Sequence, residues 1–244
     1  MADDREPSPN EDPFAGADLS RVMEFVESVR RGQGTSVDPR QKTKGGFFPG
    51  LTAKPWHEAN SFPSTKEVTE ILEASAAVII AEFHEASRDP SFLVDHPASN
   101  LHPSLKPMDW GYFQVWRGGQ FGERARALLP KTCEIMDRLM PHLAPAGEVA
   151  FHNMAPGARL RPHADGPNTT LTCHLGIKVP PRCALRVAGE ERTWQEGRCL
   201  WFDHSYEHDA WNESTENRVI LLHDIIHPDI TPDELRFWRA MYRR

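Results

Sequence analysis

Cysteine is scarce in this chain, with Cys133, Cys173, Cys183 and Cys199 the only four in 244 residues. None forms a C-x-x-C pair, which excludes a zinc knuckle and a dithiol redox motif. Reduced thiols buried as small apolar side chains are expected instead. No apolar run approaches the roughly 18 residues that a membrane helix needs. The longest, Ala74 to Ala81, is short and flanked by Glu73 and Glu82. Basic runs are missing too: the net charge is −7, with Lys and Arg scattered, so no nucleic-acid footprint is present. The start, Met1-Ala-Asp-Asp-Arg-Glu-Pro7, is acidic and lacks the apolar core of a signal peptide. There is no internal repeat. A soluble, cytoplasmic protein without nucleic acid or membrane as partner is the expectation.

What remains suits one sizeable domain behind an N-terminal extension. Residues 1–17 are rich in Asp, Glu, Pro and Ser, a composition of disorder. Leu19, Val22, Phe25, Val26 and Val29 recur at helical spacing over 18–31, before Gly32 and Gly34. Residues 32–46 read as a linker, so the expected division is 1–46 for the extension and 47–244 for the domain. Ser64-Thr-Lys-Glu67 forms a capping box before a helix carrying Val68, Ile71, Leu72, Ala76, Ile79 and Ile80. A Pro-rich loop over 90–107, a strand over 111–117 and a helix over 131–142 follow.

From Gly147 the texture changes to short β-branched and aromatic runs between Pro, Gly and Asn turns. Strands are expected near 148–154, 158–163, 169–178, 183–188, 191–195, 198–203, 207–211 and 217–225. The fold class is therefore mainly β with flanking helices, a double-sheet jelly roll or a small barrel. Thr231-Pro-Asp-Glu234 caps a closing helix to Tyr242.

Within the β-rich half lies Arg161-Pro-His-Ala-Asp-Gly166, then Ser205-Tyr-Glu-His208, then Arg218. Residues i and i+2 of a strand face the same side, so His163 and Asp165 can aim into one cavity. Two imidazoles and a carboxylate, with His208 as the third ligand, hold one face of a ferrous ion and leave the other open. Arg218 precedes the apolar run Val219-Ile-Leu-Leu222. A guanidinium there needs an anionic partner. That partner is either an internal carboxylate or a carboxylate of a small diacid held in the guanidinium fork.

Several runs together resemble a known family. They are Phe151-His-Asn-Met-Ala-Pro-Gly157, Arg161-Pro-His-Ala-Asp-Gly-Pro167, His174-Leu-Gly176, Thr193-Trp-Gln-Glu-Gly197, Phe202-Asp-His-Ser-Tyr-Glu-His208 and Arg218. Upstream, Phe48-Pro-Gly-Leu51, Lys54-Pro-Trp56, Trp110-Gly-Tyr-Phe113 and Pro130-Lys-Thr-Cys133 match as well. The chain is similar to the aspartyl/asparaginyl β-hydroxylases, which are Fe(II)- and 2-oxoglutarate-dependent dioxygenases; the resemblance implies their double-stranded β-helix, a cupin-like jelly roll. The resemblance implies Fe(II), 2-oxoglutarate and O2 as the reacting set, with succinate and CO2 released. It implies iron on His163 and His208, the distal carboxylate of 2-oxoglutarate on Arg218, and His174 near its chelating end. His152 stands where the animal enzyme has a Ser near the distal carboxylate.

Two positions depart from the family pattern. Asp165 replaces a Gly of the animal enzyme and restores a three-ligand arrangement. Thr172 replaces an Arg that contacts the co-substrate. The resemblance implies a peptide, protein or amino-acid-like substrate with an Asp/Asn-type reacting group. Trp110, Tyr112, Gln114, Lys131, Arg159 and Arg161 are the candidate substrate contacts. Two rivals stand beside this reading: a cupin-like metal-dependent isomerase that would not need Arg218, and a non-oxidative metal-binding module.

Overall fold

The computed structural model describes residues 14–32, 36–43 and 45–242. Most of the segment expected to be disordered, and part of the expected linker, lie outside these. The first helix, α1 (Ser20–Arg30), uses the apolar stripe read from the sequence, with Val22 and Phe25 buried. Next come the short strand β1 (Trp56–His57) and the long helix α2 (Pro63–Ala86). The helix begins one residue before the expected box: the Thr65 hydroxyl, not Ser64, accepts the Phe62 N–H (3.1 Å). Pro63 takes the first helical turn, where a missing N–H costs nothing.

Strands β2 (Val94–Asp95), β3 (Trp110–Arg117) and β4 (Gln120–Phe121) lead to helices α3 (Ala125–Leu128) and α4 (Pro130–Leu139). The β-rich half holds β5 (Glu148–Met154), β6 (Thr170–Lys178), β7 (Cys183–Val187) and β8 (Glu190–Arg192). It continues with β9 (Cys199–Phe202), β10 (His208–Asn212) and β11 (Arg218–Ile226), and α5 (Pro232–Tyr242) closes the chain.

The strands form two antiparallel sheets. The larger has the order β1-β9-β6-β11-β5-β3-β2 with β4 beside β3; the smaller is β10-β7-β8. The expected strand over 158–163 runs along β10 but does not form a continuous ladder. Leu160 N–H donates to the Ala210 carbonyl (2.9 Å), and His163 and His208 exchange both backbone bonds (2.9 and 2.7 Å). Pro162 sits between these pairs without an N–H to offer. The small sheet thereby gains a fourth, interrupted edge, which carries His163.

Side-chain alternation sorts the two faces of the large sheet. Leu171, Cys173, Leu175 and Ile177 of β6, with Val219, Leu221 and Ile225 of β11, pack beneath α2 and α4. Val68, Leu72 and Ile79 of α2 are fully buried there. Each contributes about 1.5–3 kcal/mol, and Leu72→Ala would cost about 2–5 kcal/mol. The opposite positions, Thr170, Thr172 and His174 of β6 and Arg218, Ile220, Leu222 and Asp224 of β11, line a cavity between the sheets. This is the jelly-roll architecture expected from the sequence.

A separate apolar cluster joins α1 to α5 through Val22, Phe25, Phe48, Leu51 and Ile230, with Phe237 and Trp238 against it. The Arg21 guanidinium grips Glu234 with two bonds (2.8 and 2.6 Å). Gln41 is buried and donates to Asp203 (3.1 Å) and Ser205 (2.9 Å), and the Thr43 hydroxyl donates to the Gly166 carbonyl. Residues 36–43 therefore bind the two loops that carry Asp165 and His208. Among the described residues, no helix is long and apolar enough to cross a membrane.

Candidate metal centre and co-substrate pocket

The cavity between the sheets has a volume of about 910 Å³. His163 and His208 stand directly opposite each other across the strand pair, with ring centroids 4.3 Å apart. Asp165 is fixed by its N–H to the His204 carbonyl (3.0 Å). One oxygen of Asp165 lies 3.5 Å from His208 Nε2, and one donor atom from each of the three residues falls within 4.8 Å of the others. Atoms that share one ion at about 2.1 Å stand about 3–4 Å apart, so small side-chain adjustments complete the set.

A second group, His96, Glu148 and His152, meets the same distance criterion. Tautomers separate the two clusters. His163 Nδ1 lies 2.8 Å from the Arg161 carbonyl and His208 Nδ1 lies 2.9 Å from the Tyr206 carbonyl. A carbonyl only accepts, so both protons sit on Nδ1 and both Nε2 lone pairs are free for a metal. In His96, His102, His152 and His174 the pattern reverses. Their Nδ1 atoms accept from Ala98 N–H (3.1 Å), Arg161 N–H (3.0 Å), Trp110 Nε1–H (3.1 Å) and Trp194 Nε1–H (3.2 Å). These four imidazoles carry their proton on Nε2 and are donors, not ligands.

Electrostatics agree with this division. Burial, then the neighbouring His208, pushes His163 down to about 4, which keeps it neutral at physiological pH. Burial acts to raise the Asp165 carboxyl, but His208 and the other imidazoles outweigh it and hold the group below the ordinary carboxylate range. In His208, burial acts downward and the Asp165 carboxylate overrides it upward. A divalent cation satisfies the same lone pairs as the proton shared by that pair. The donor set fits ferrous iron, with two imidazoles and one carboxylate on one face.

Arg218 is 3% exposed, and among the described residues no carboxylate pairs with it. Its guanidinium lies over the Trp194 ring (4.5 Å) and donates only to Met154 Sδ (3.5 Å). The Nε atom is buried without a partner. Burial brings its pKa down to about 10. An internal salt bridge is thus ruled out as the reason for the residue, and the cavity supplies room for an anion beside it. Trp194 faces Arg218 and also sets the tautomer of His174, whose imidazole burial and Arg218 hold far below its ordinary pKa. One indole therefore organises both donors of this end of the cavity.

Other expected site residues fall in different places. Trp110 and Arg161 line the cavity. Tyr112 stands behind it and donates to Glu148 Oε2 (2.9 Å). Thr172 lines the cavity, but its hydroxyl donates to Asp224 (2.7 Å) and meets His204 Nδ1 at 3.2 Å, leaving no proton for a co-substrate. His152 turns its Nε2 toward Glu148 (3.7 Å). Besides Tyr112, three candidates are not brought to the cavity. Arg159 pairs with Glu213 at the surface (2.8 Å) and lies over Trp211. Lys131 sits at the start of α4, where its N–H meets Glu82 (2.9 Å), across the large sheet from the metal. Gln114 precedes the register shift in β3 and is absent from the cavity wall. Sequence reasoning missed His96, His102, Glu148, His204 and Asp224, all of which line it.

Between the two sheets of a jelly roll, His163, Asp165 and His208 thus form a group that could hold a metal ion, beside a buried arginine with no carboxylate partner among the described residues. Comparison narrows the class. The profile of the Aspartyl/Asparaginyl beta-hydroxylase family matches residues 65–228, and the chain belongs to that family. It is 32% identical over 194 residues to the mouse aspartyl/asparaginyl beta-hydroxylase, covering 77% of this chain and 25% of that protein. It is 30% identical over 229 residues to human aspartate beta-hydroxylase domain-containing protein 1, covering 91% and 57%. The chain thus spans between a quarter and somewhat over half of these relatives. Among solved structures, a Pseudomonas putida prolyl-4-hydroxylase aligns with a TM-score of 0.42 at 15% identity, over 62% of this chain and 87% of that one.

Proposed function

We propose that the protein is a Fe(II)- and 2-oxoglutarate-dependent hydroxylase acting on an Asp/Asn-type residue of a peptide or protein, or on an amino-acid-derived small molecule. The observation that carries this reading is the lone buried guanidinium of Arg218 in the same cavity as His163, Asp165 and His208. A metal-dependent isomerase or binding module without a diacid leaves that cation unexplained, because an uncompensated buried charge is strongly unfavourable.

Iron, 2-oxoglutarate and O2 supply the oxidation of a C–H bond, with succinate and CO2 as by-products. The protein's own groups bind and orient. His163, Asp165 and His208 offer a dianion-tolerant face of neutral imidazoles and one carboxylate. Arg218 receives the distal carboxylate of the co-substrate, a planar fork matched to a planar acceptor. His174 Nε2–H is a second donor to the co-substrate beside Arg218, with Trp194 holding the imidazole in the donor tautomer. The aromatic walls from Trp110, Trp194 and Phe202 exclude water, which strengthens each of these contacts.

Succinate release from 2-oxoglutarate by the iron-loaded protein in air tests the reading. Conversion is expected in the wild type and lost in His163→Ala and Arg218→Met. Release of no succinate with any peptide or amino-acid substrate, or conversion undiminished in Arg218→Met, contradicts it.

A further inference from the structure

His96, Glu148 and His152 form a second polar cluster on the cavity wall; the family resemblance places His152 near the distal carboxylate of 2-oxoglutarate, but its Nε2 is turned to Glu148 instead. The cluster's members are built in, not loosely exposed. His96 stacks on Trp110 with centroids 3.6 Å apart and planes within 8°. His152 is 6% exposed, and its Nε2 is buried with no hydrogen-bond partner. Glu148 Oε2 is occupied by the Tyr112 hydroxyl (2.9 Å), with Arg117 Nη1 at 3.8 Å. Glu148 Oε1 lies 3.7 Å from His152 Nε2, beyond hydrogen-bond length, and accepts no hydrogen bond from the described residues. The site thus presents an idle N–H donor and an idle carboxylate acceptor next to each other, with a second Nε2–H on His96.

Four kinds of ligand can be weighed against that pattern. A metal ion needs the Nε2 lone pair of each imidazole. Moving the His152 proton to Nδ1 would set it against Trp110 Nε1–H, and the same shift in His96 would set it against Ala98 N–H. A carboxylate would satisfy the imidazoles and face Glu148 at close range. An ammonium or guanidinium would satisfy Glu148 and face two N–H groups. An uncharged amide carries an acceptor and a donor on one rigid plane and leaves neither side of the site unsatisfied. Buried polar groups left without partners cost about 1–3 kcal/mol each, so the matched group is selected against those it resembles.

We propose that His96, His152 and Glu148 form a subsite for an uncharged amide of the substrate, the carbonyl oxygen on the imidazole Nε2–H groups and the amide N–H on Glu148 Oε1. The ligand is a backbone peptide unit or a side-chain carboxamide. This rests on the hydroxylase reading for the word substrate, but the subsite itself is tested without turnover.

The test is NMR on the full-length protein with 15N-labelled histidine, holding one equivalent of Zn(II) at the metal centre. N-methylacetamide is titrated against acetate and methylammonium. The Nε2–H resonances of His96 and His152 shift saturably with the amide, and acetate and methylammonium bind at least tenfold more weakly. His152→Leu weakens the amide about tenfold, the equivalent of one hydrogen bond, while His152→Gln, which keeps a donor, stays within about threefold. Equal binding of acetate or methylammonium overturns the proposal. So does unchanged amide affinity in His152→Leu, or a second equivalent of Zn(II) that displaces both Nε2–H signals. Should His152→Leu not fold, the wild-type ligand comparison and His152→Gln decide the matter. None of these readouts involves 2-oxoglutarate or succinate, so failure here and failure of the hydroxylase reading are separable.

Discussion

Replacing Arg218 with Met should stabilise the ligand-free protein and abolish its response to 2-oxoglutarate. The guanidinium is fully buried, has no ionic partner among the described residues, and burial brings its pKa from the ordinary guanidinium range down to about 10. At about 1.4 kcal/mol per pH unit, that corresponds to roughly 3 kcal/mol against the charged form. The Trp194 face returns about 1–2 kcal/mol. Methionine fills similar volume without charge, so a net gain of about 1–2 kcal/mol is expected, or a rise in Tm of roughly 2–8 °C for a domain of this size. The co-substrate changes the sign. A carboxylate paired with a buried guanidinium is worth about 3–5 kcal/mol, which is roughly 10²–10⁴ in affinity. Thermal unfolding of Mn(II)-loaded protein, with and without 2-oxoglutarate, reads both effects. The wild type gains Tm with ligand; Arg218→Met starts higher and gains none. A variant that is less stable without ligand, yet still protected by 2-oxoglutarate, would refute the assignment of Arg218 as the anion receptor.

Further tests address the neighbouring groups. Asp165→Gly removes the only anionic ligand and should weaken Fe(II) binding at least tenfold in anaerobic calorimetry; unchanged affinity would leave two histidines as the whole site. Trp194→Phe keeps a ring under Arg218 but removes the donor to His174 Nδ1, so KM for 2-oxoglutarate should rise about tenfold with metal affinity unchanged, and histidine 15N shifts should report a loosened tautomer. Away from the site, His223 is fully buried, neither ring nitrogen has a hydrogen-bond partner among the described residues, and burial lowers its pKa to about 3. Its folded-state pKa lies below the unfolded 6.5, so as pH falls below 6.5 the unfolded chain takes the proton first and stability declines. That decline amounts to about 2 kcal/mol by pH 5 from this group. Urea unfolding of His223→Leu should lack this part of the acid limb; an unchanged pH profile would exclude His223 as its source.

Much of the centre was legible because strand periodicity is simple. His163 and Asp165 sit at i and i+2, so their spacing pointed both to one cavity; Arg218 was readable as a buried cation at the mouth of an apolar strand, but whether an internal carboxylate or a diacid answered it was open until the family resemblance was drawn. The pairing of His163 with His208 depends on register across 45 residues of chain and needed the structure. Lys131 shows the opposite case. Its place at the start of a helix was readable, but nothing in helical periodicity states which face of the sheet the helix covers, and it covers the far one. His96 and His102 were hidden in a Pro-rich loop without periodicity, and Glu148 and Asp224 looked like ordinary strand-end carboxylates. Tautomers, which distinguish ligand imidazoles from donor imidazoles here, follow from contacts such as Trp110 to His152 across 42 residues and have no local signature.

Anaerobic titration of ferrous iron into the protein with 2-oxoglutarate, followed by the visible charge-transfer absorption of a chelated 2-oxo acid, reads the centre most directly. The band should appear with one equivalent of iron in the wild type and be lost in His163→Ala, with Arg218→Met demanding far more 2-oxoglutarate. A wild type that shows no band, or a band indifferent to both substitutions, would contradict the convergence of His163, Asp165, His208 and Arg218 on one iron and one diacid.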